Sequence, residues 1–448
     1  MKIKDILAEY RKLIDENIES NRIGALALCD NIERSDLYFR GHLTSKTLHI
    51  PRIYTKDTII QFQNIVKTAY NIFIKVINEY LKCKDYRFLF GFSEELEKLI
   101  LIPNGYNSLL PIARFDIFYH EETGEFYFCE INTDGSSGMN EDRLLDMFMI
   151  NNPAHQEMIR RYQFKTMELF DSWVNTFVRL YKTYEYRVTN PNVAIIDFLD
   201  KGTIREFEEF ARHFQKAGIN CEICDIRELQ FKNGKLYSSS GHIVDAVYRR
   251  AVTTDILNAL EYVKPFIDAV RAGACFVAGS FCTQIIHHKR LFYVLRLPRT
   301  KEILTSEENS FIEKHIPYTF PFSKEYIDLY EVIKNKDKYI LKPEDSYASK
   351  GVYAGIEYDQ NTWEKIVENS YERGYICQEY CKQHVSYNID FAWGDGKWHS
   401  YIDMTGLFVY DGKLAGIFSR SAEGNGIIAS NRNERTQATY IVHKNKGC

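Results

Sequence analysis

The chain has no long hydrophobic run. Across its 448 residues no stretch approaches the ~18 consecutive apolar residues that a membrane-spanning helix needs. The opening MKIKDILAEY places charges where a signal peptide would turn apolar, so a cytoplasmic protein is expected. Excess positive charge is missing too. Lys and Arg number 57 against 61 Asp and Glu, for a net charge of -4, and no aromatic-rich basic patch appears. That balance argues against nucleic acid as the main partner and, with the missing apolar run, against a membrane. The 10 cysteines form no framework: Cys221/Cys224 and Cys377/Cys381 lack a second pair at zinc spacing, so the thiols read as reduced and mostly buried. Internal repeats, low-complexity tracts and a Walker phosphate loop are absent, and the lone G-x-G in EGNGII is too weak to suggest a dinucleotide fold.

What is present is a soluble-type composition, 45% apolar with interspersed charge, in a chain too long for one ordinary core. Its texture changes along its length. Residues 1–100 read as a helical N-terminal region, with Ile3, Ile6, Leu7, Tyr10, Leu13 and Ile14 at helical spacing. Residues 101–190 hold a hairpin followed by helices. In 191–290, VAIIDFL is a buried strand and TIREFEEFARHFQKAG a helix opened by a Thr203/Glu206 capping box and stopped by Gly218. INCEICDI and HIVDAVYRR are further strands, which gives a parallel α/β domain. Residues 291–448 alternate short strands with turns and contain one clear helix, NTWEKIVENSYERG, as an antiparallel sheet would.

The hairpin RFDIFYHEETGEFYFCEIN carries Arg114, Asp116, Glu130 and Asn132 at positions where its alternation calls for core residues. A three-residue loop Glu122–Gly124, with Gly124 left-handed, would set Asp116 opposite Glu130 and Arg114 opposite Asn132, all on one face. Cys129 would then point to the opposite, core face. Two facing carboxylates repel unless a cation lies between them. Carboxylate and amide oxygens suit Mg²⁺, and the arginine offers a fork for phosphate. The alternative is an ordinary ion pair of Arg114 with Asp116 or Glu130 on a solvated sheet face. Lys342 ends an apolar strand in YILKPEDSYASKG, a point charge beside a small-residue loop. In YICQEYC, backbone groups around Gln378, Glu379 and Tyr380 could meet a purine edge.

Taken in order, R-x-D, E-x-N, VYRR with Arg249 and Arg250, GSFCTQIIHHKRLFYVL with Lys289, YILKP with Lys342, and CQEY resemble the circularly permuted ATP-grasp proteins. Within these the glutathionylspermidine synthase synthetase-like group is the nearest. The resemblance spans roughly residues 100 to 425. It implies an α/β fold with α+β elements: a circularly permuted ATP-grasp with a Rossmann-like pre-ATP-grasp domain. It also implies an ATP-dependent carboxylate–amine ligase working through an acyl phosphate. Asp116, Glu130 and Asn132 would hold Mg²⁺, and Arg114 would meet the γ-phosphate and acyl phosphate. Lys289 and Lys342 would bind ATP phosphates, Gln378, Glu379 and Tyr380 would frame adenine, and Arg420 of IFSRSAEGN would approach the phosphates. Partners would be a small-molecule or peptide carboxylate and an amine. No amidase domain is expected within these 448 residues, and TDGSSGMNE differs from the synthase's substrate-side sequence. A kinase on the same fold and a nucleotide-binding regulatory protein without turnover remain the alternatives.

Overall fold

The Ile112–Tyr119 and Phe126–Asn132 strands sit at one side of a six-stranded antiparallel sheet whose other strands come from the far end of the chain: His384–Ile389, Trp398–Tyr410, Lys413–Glu423 and Glu434–Gln437. The computed structural model describes residues 2–39, 42–43, 45–346, 349–424, 426–429 and 432–444. One face of this sheet is apolar and packs on the long Lys56–Lys82 helix. Phe115, Ile117 and Phe128 join Phe62, Phe73 and Val76 in one buried cluster, and the rings of Phe73 and Phe115 meet edge-to-face at 5.3 Å. Capping by Thr55, whose side chain accepts from Thr58 N–H, starts that helix. The opposite face carries the polar hairpin residues among apolar ones, Phe118 and Met404 to one side and Phe408 and Phe418 to the other.

Facing it stands a second antiparallel sheet, ordered Thr319–Pro321, Tyr375–Glu379, Tyr339–Pro343, Tyr353–Ala354. The Gln360–Ser370 helix covers its back with Trp363 and Val367, packed on Leu341 and Cys377. Tyr347, Ala348 and Asn425, which belong to the small-residue loop and to EGNGII, lie outside the described residues.

The third layer is a parallel sheet ordered Phe276–Ala278, Ala246–Arg249, Asn192–Asp197, Asn220–Asp225, as the strand–helix–strand pattern predicts. Its Ile204–Lys216 helix buries Phe207, Phe210, Ala211 and Phe214 and stops at Gly218, whose φ of +79° needs glycine. The predicted capping box does not form. Thr203 makes no side-chain cap, and buried Glu206 instead turns to the next layer, where its Oε2 accepts from the N–H groups of Gly138, Met139 and Asn140 and its Oε1 from Arg250. A helix N-terminus plus a guanidinium outcompetes a local cap for one carboxylate.

The N-terminal region is mainly helical, yet its Arg52–Thr55 segment is a strand, paired in parallel with Thr439–Lys444. Between residues 140 and 184 the helices are Met139–Phe148, Pro153–Arg161 and Phe170–Tyr181, with a short Tyr162–Lys165 strand among them. No helix of the described residues is long and apolar enough to cross a membrane. The nine described cysteines are all free thiols.

Candidate functional site

The hairpin reaches the expected register by an unexpected route. His120 N–H donates to Glu125 O and Gly124 N–H to His120 O, both at 2.8 Å, so the loop is the four residues Glu121–Gly124 instead of three. Gly124 is left-handed, with φ +74°. A longer loop would shift the pairing by one, and a β-bulge restores it. Tyr119, Phe118 and Ile117 pair with Phe126, Tyr127 and Phe128, then Asp116 pairs with Glu130 and Arg114 with Asn132. Cys129 is the extra residue. Bulges re-aim a side chain, and here Cys129 packs with Phe118, Ile402, Met404 and Ile428 on the polar side of the sheet, not in the helix-side core where strict alternation would send it.

The four hairpin residues come together on one face. Arg114 Nε and Nη2 donate to the two oxygens of Asp116 at 2.7 and 3.0 Å, and Nη1 donates to Ser137 O at 2.6 Å. Asn132 Nδ2 donates to Asp116 Oδ2 at 3.0 Å and to Glu130 Oε1 at 3.3 Å. Arg420, from the Lys413–Glu423 strand on the far side of Trp398–Tyr410, adds a bond from Nη2 to Asp116 Oδ2 at 2.6 Å. Asp116 is 0% exposed, so this is a buried cluster and not a solvated surface pair. Gly406, directly opposite Asp116, makes it possible: a Cβ there would lie 2.9 Å from both Arg114 Cδ and Asp116 Oδ1.

Beside this cluster opens a cavity between the two antiparallel sheets, concave and partly apolar as small-molecule sites are. Its charged wall is Glu130, Lys289, Lys342 and Arg420; its apolar walls include Phe118, Ile340, Met404 and Ile428. Gln378, Glu379 and Tyr380 also line it, whereas Arg114, Asp116 and Asn132 lie outside the lining, behind Glu130 and Arg420. Lys342 is held by Gln378 Oε1 at 2.8 Å and by Cys129 O at 3.1 Å, so the bulged residue joins the two sheets across the cavity. Gln378 is in turn fixed by its Nε2 donating to Thr319 Oγ at 2.9 Å. The Gln378–Tyr380 segment keeps fewer free donors than the sequence suggests. Glu379 N–H donates to Tyr318 O and Tyr380 N–H to Lys338 O, which removes two backbone N–H groups from any purine edge. The Tyr380 hydroxyl donates to Gln383 and Gly426 O.

Cations dominate the electrostatics. Burial pushes the Glu130 carboxyl up, but Lys289, Lys342 and Arg420 outweigh it, and with the Asn132 hydrogen bond they hold Glu130 down at about 2. Burial lowers Lys289 from the ordinary lysine value; Lys342 lowers it further, and Glu130 and Asp345 oppose the shift. Burial raises the Cys129 thiol to about 11, so it is protonated and inert at neutral pH. Arg420 Nε is buried without a hydrogen-bond partner among the described residues, a donor left over in the cavity wall.

Arg249 and Arg250 are not in this cavity. Arg249 pairs with Asp134 and Arg250 with Glu206, both fully enclosed at the edge of the parallel layer. Sequence reasoning missed the lining residues Cys129, Met404, Gln383 and Ile428. For Cys129 the signal is hidden in the bulge; for the others only tertiary placement reveals them.

No protein-family model and no curated protein sequence matches the chain. Among solved structures it is similar to a glutathione synthetase-like effector (GSS30) from Globodera pallida in apo form, at 13% identity and a TM-score of 0.61, covering 93% of this chain and 96% of that one. A protein described as a gamma-glutamylcysteine synthetase from Methylobacillus flagellatus KT aligns at 11% identity and a TM-score of 0.42 over 87% and 89% of the two chains. The D-cycloserine synthetase DcsG aligns at 14% identity and 0.30 over 52% and 75%. The first likeness shows a shared mixed α/β fold; the other two superpose too loosely to bear on it.

Proposed function

We propose that the chain is an ATP-dependent carboxylate–amine ligase that works through an acyl phosphate. One observation carries this reading: a cavity whose apolar walls lead to Lys289, Lys342 and Arg420 gathered round the ionised carboxylate of Glu130. That surplus of fixed positive charge suits a polyphosphate, and an apolar slot beside it suits a base. The resemblance of the R-x-D, E-x-N and YILKP motifs to ATP-grasp enzymes points the same way, and the shared fold with the G. pallida protein supports it.

The donor set fits Mg²⁺ in part. Glu130 faces the cavity, and the Asn132 amide beside it is a hard ligand once turned to present its oxygen. Asp116 already accepts four hydrogen bonds, three of them from two guanidiniums. We therefore assign Glu130 and Asn132 as the residues that would hold the metal, and Asp116 as the anchor of Arg114 and Arg420. When bound there, Mg²⁺ would neutralise phosphate charge.

The chain's own residues do the positioning. Lys289 and Lys342 hold the nucleotide phosphates, and Arg420 offers its free Nε–H to the transferring group. A substrate carboxylate oxygen attacks the γ-phosphorus, ADP leaves, and an amine displaces phosphate from the acyl carbon, losing its proton as the amide forms. Arg114, tied to Ser137 O, orders the loop beyond Asn132. Incubation with ATP, Mg²⁺ and a panel of amino acids or small peptides should release ADP and inorganic phosphate, and hydroxylamine should trap the acyl group as a hydroxamate. Lys342→Ala should abolish both signals. AMP release would replace the acyl phosphate with an adenylate, and a stable phosphorylated hydroxyl product would make the protein a kinase.

A further inference from the structure

The segment leaving the Lys342 strand is fastened at several points. Lys289 N–H donates to Glu344 O at 3.1 Å, and Lys289 Nζ donates to Ser346 O at 2.8 Å. Between them, Asp345 Oδ2 accepts from Thr254 Oγ at 2.6 Å and from Gln284 Nε2 at 3.1 Å. Both donors belong to the parallel α/β layer. Thr254 lies in the helix that follows its Ala246–Arg249 strand, and Gln284 opens the helix after its Phe276–Ala278 strand. Gln284 is 0% exposed, and its Oε1 has no hydrogen-bond partner among the described residues, so Asp345 is what satisfies this buried amide.

The same helical turn receives a second loop. Thr253 N–H donates to Asp134 Oδ2, and Asp134 also pairs with Arg249. Asp134 stands two residues beyond Asn132. One turn, Thr253–Thr254, thus ties the exit of the Glu130/Asn132 strand to the exit of the Lys342 strand. The two strands belong to different sheets, and the third layer bridges them.

We propose that Asp345 is a positioning residue: by binding Thr254 and Gln284 it fixes the Glu344–Ser346 backbone that holds Lys289, and so couples the phosphate side of the cavity to the loop beyond Asn132. The two lysines keep their shared geometry only while this tie is made. The hydrogen-exchange readout stands on the geometry alone; the affinity and turnover readouts rest on the ligase reading.

The test uses the full chain with a non-hydrolysable ATP analogue and Mg²⁺, read by calorimetry and by hydrogen exchange of the Glu344, Asp345 and Ser346 amides. Asp345→Ala should weaken analogue binding about tenfold or more and speed exchange at these amides, because two donors lose one charged acceptor. Asp345→Asn keeps an acceptor oxygen and should stay within ~3-fold of the parent. The double variant Asp345→Ala/Thr254→Val should be no weaker than Asp345→Ala, since both act through one bond. In turnover, Asp345→Ala should raise KM for ATP more than it lowers kcat. Unchanged exchange and affinity in Asp345→Ala, or additive losses in the double variant, would overturn the proposal. Failure of the wild type to form ADP would instead count against the ligase reading and leave the exchange result to decide this one.

Discussion

Asp116 Oδ2 and Arg420 Nη2 lie 2.6 Å apart although 304 residues separate them in the chain, and the same carboxylate holds Arg114 through both its oxygens. A carboxylate with no exposed surface, shared by two guanidiniums, is the keystone of the polar face. Asp116→Asn should therefore act on stability first. Arg114 would lose its counter-charge and Arg420 would fall back on Glu434, 3.6 Å from its Nη1, at a cost of about 3–5 kcal/mol. A lowered midpoint in urea with an unchanged slope would show it. A loss below about 1 kcal/mol would mean the arginines are compensated elsewhere.

Glu130 should behave in the opposite way. It faces the cavity, and among the described residues only Asn132 donates a hydrogen bond to it. Glu130→Gln keeps the shape and removes the charge, so Mg²⁺-dependent ATP turnover should fall at least ~10²-fold while the melting curve stays cooperative. Wild-type turnover in that variant would take Glu130 out of the mechanism. Because Glu130→Gln and Asp116→Asn differ in which property they damage, the pair separates the metal role from the anchoring role.

The sequence showed where polar residues interrupt apolar alternation, and this located Arg114, Asp116, Glu130 and Asn132 on one face. Alternation has period two, so a single bulge hides from it. The four-residue turn and the extra Cys129 cancel, and Glu130 meets Asp116 as if neither were there. The parallel layer was legible because its central Asn192–Asp197 strand carries a continuous apolar run and its helix a clean stripe. Glu206 was misplaced because a capping box is a local pattern, whereas its actual partners, Met139 and Arg250, are 67 and 44 residues away. Arg420 shows the limit in the other direction: nothing local tells which carboxylate it reaches, and only the pairing of Met404 with Arg420 beside Gly406 and Asp116 explains it.

Gln378 provides a third test, on the nucleotide side. Its amide is a relay: the oxygen accepts from Lys342 and the nitrogen donates to Thr319. Gln378→Leu should free the ammonium from one of its two acceptors and remove the bond that Thr319 Oγ accepts, leaving that hydroxyl its bond to Pro317 O at 3.0 Å. Affinity for an ATP analogue should drop roughly tenfold, with the fold retained. Equal affinity in titration calorimetry would show that Cys129 O alone sets the Lys342 position.

The last prediction concerns pH and lies away from the cavity. His49 and His155 are 5% and 6% exposed, one bonded to Asn21 Oδ1 at 2.9 Å and the other to the Tyr10 hydroxyl at 2.6 Å. Burial lowers both from the ordinary 6.5, to about 3 for His49 and about 4 for His155. Below pH 6.5 the unfolded chain takes up these protons and the folded chain does not, so stability rises with pH through this window. It is fully present above 6.5 and is lost as pH falls toward the folded values. Each histidine should cost about 1.4 kcal/mol per pH unit below 6.5 until its folded value is reached. Urea denaturation between pH 5 and 7 measures the slope, and His155→Gln should flatten it by about one histidine's share even though the variant is less stable at pH 7. An unchanged slope would mean that His155 gains its proton in the folded protein as readily as in the unfolded chain.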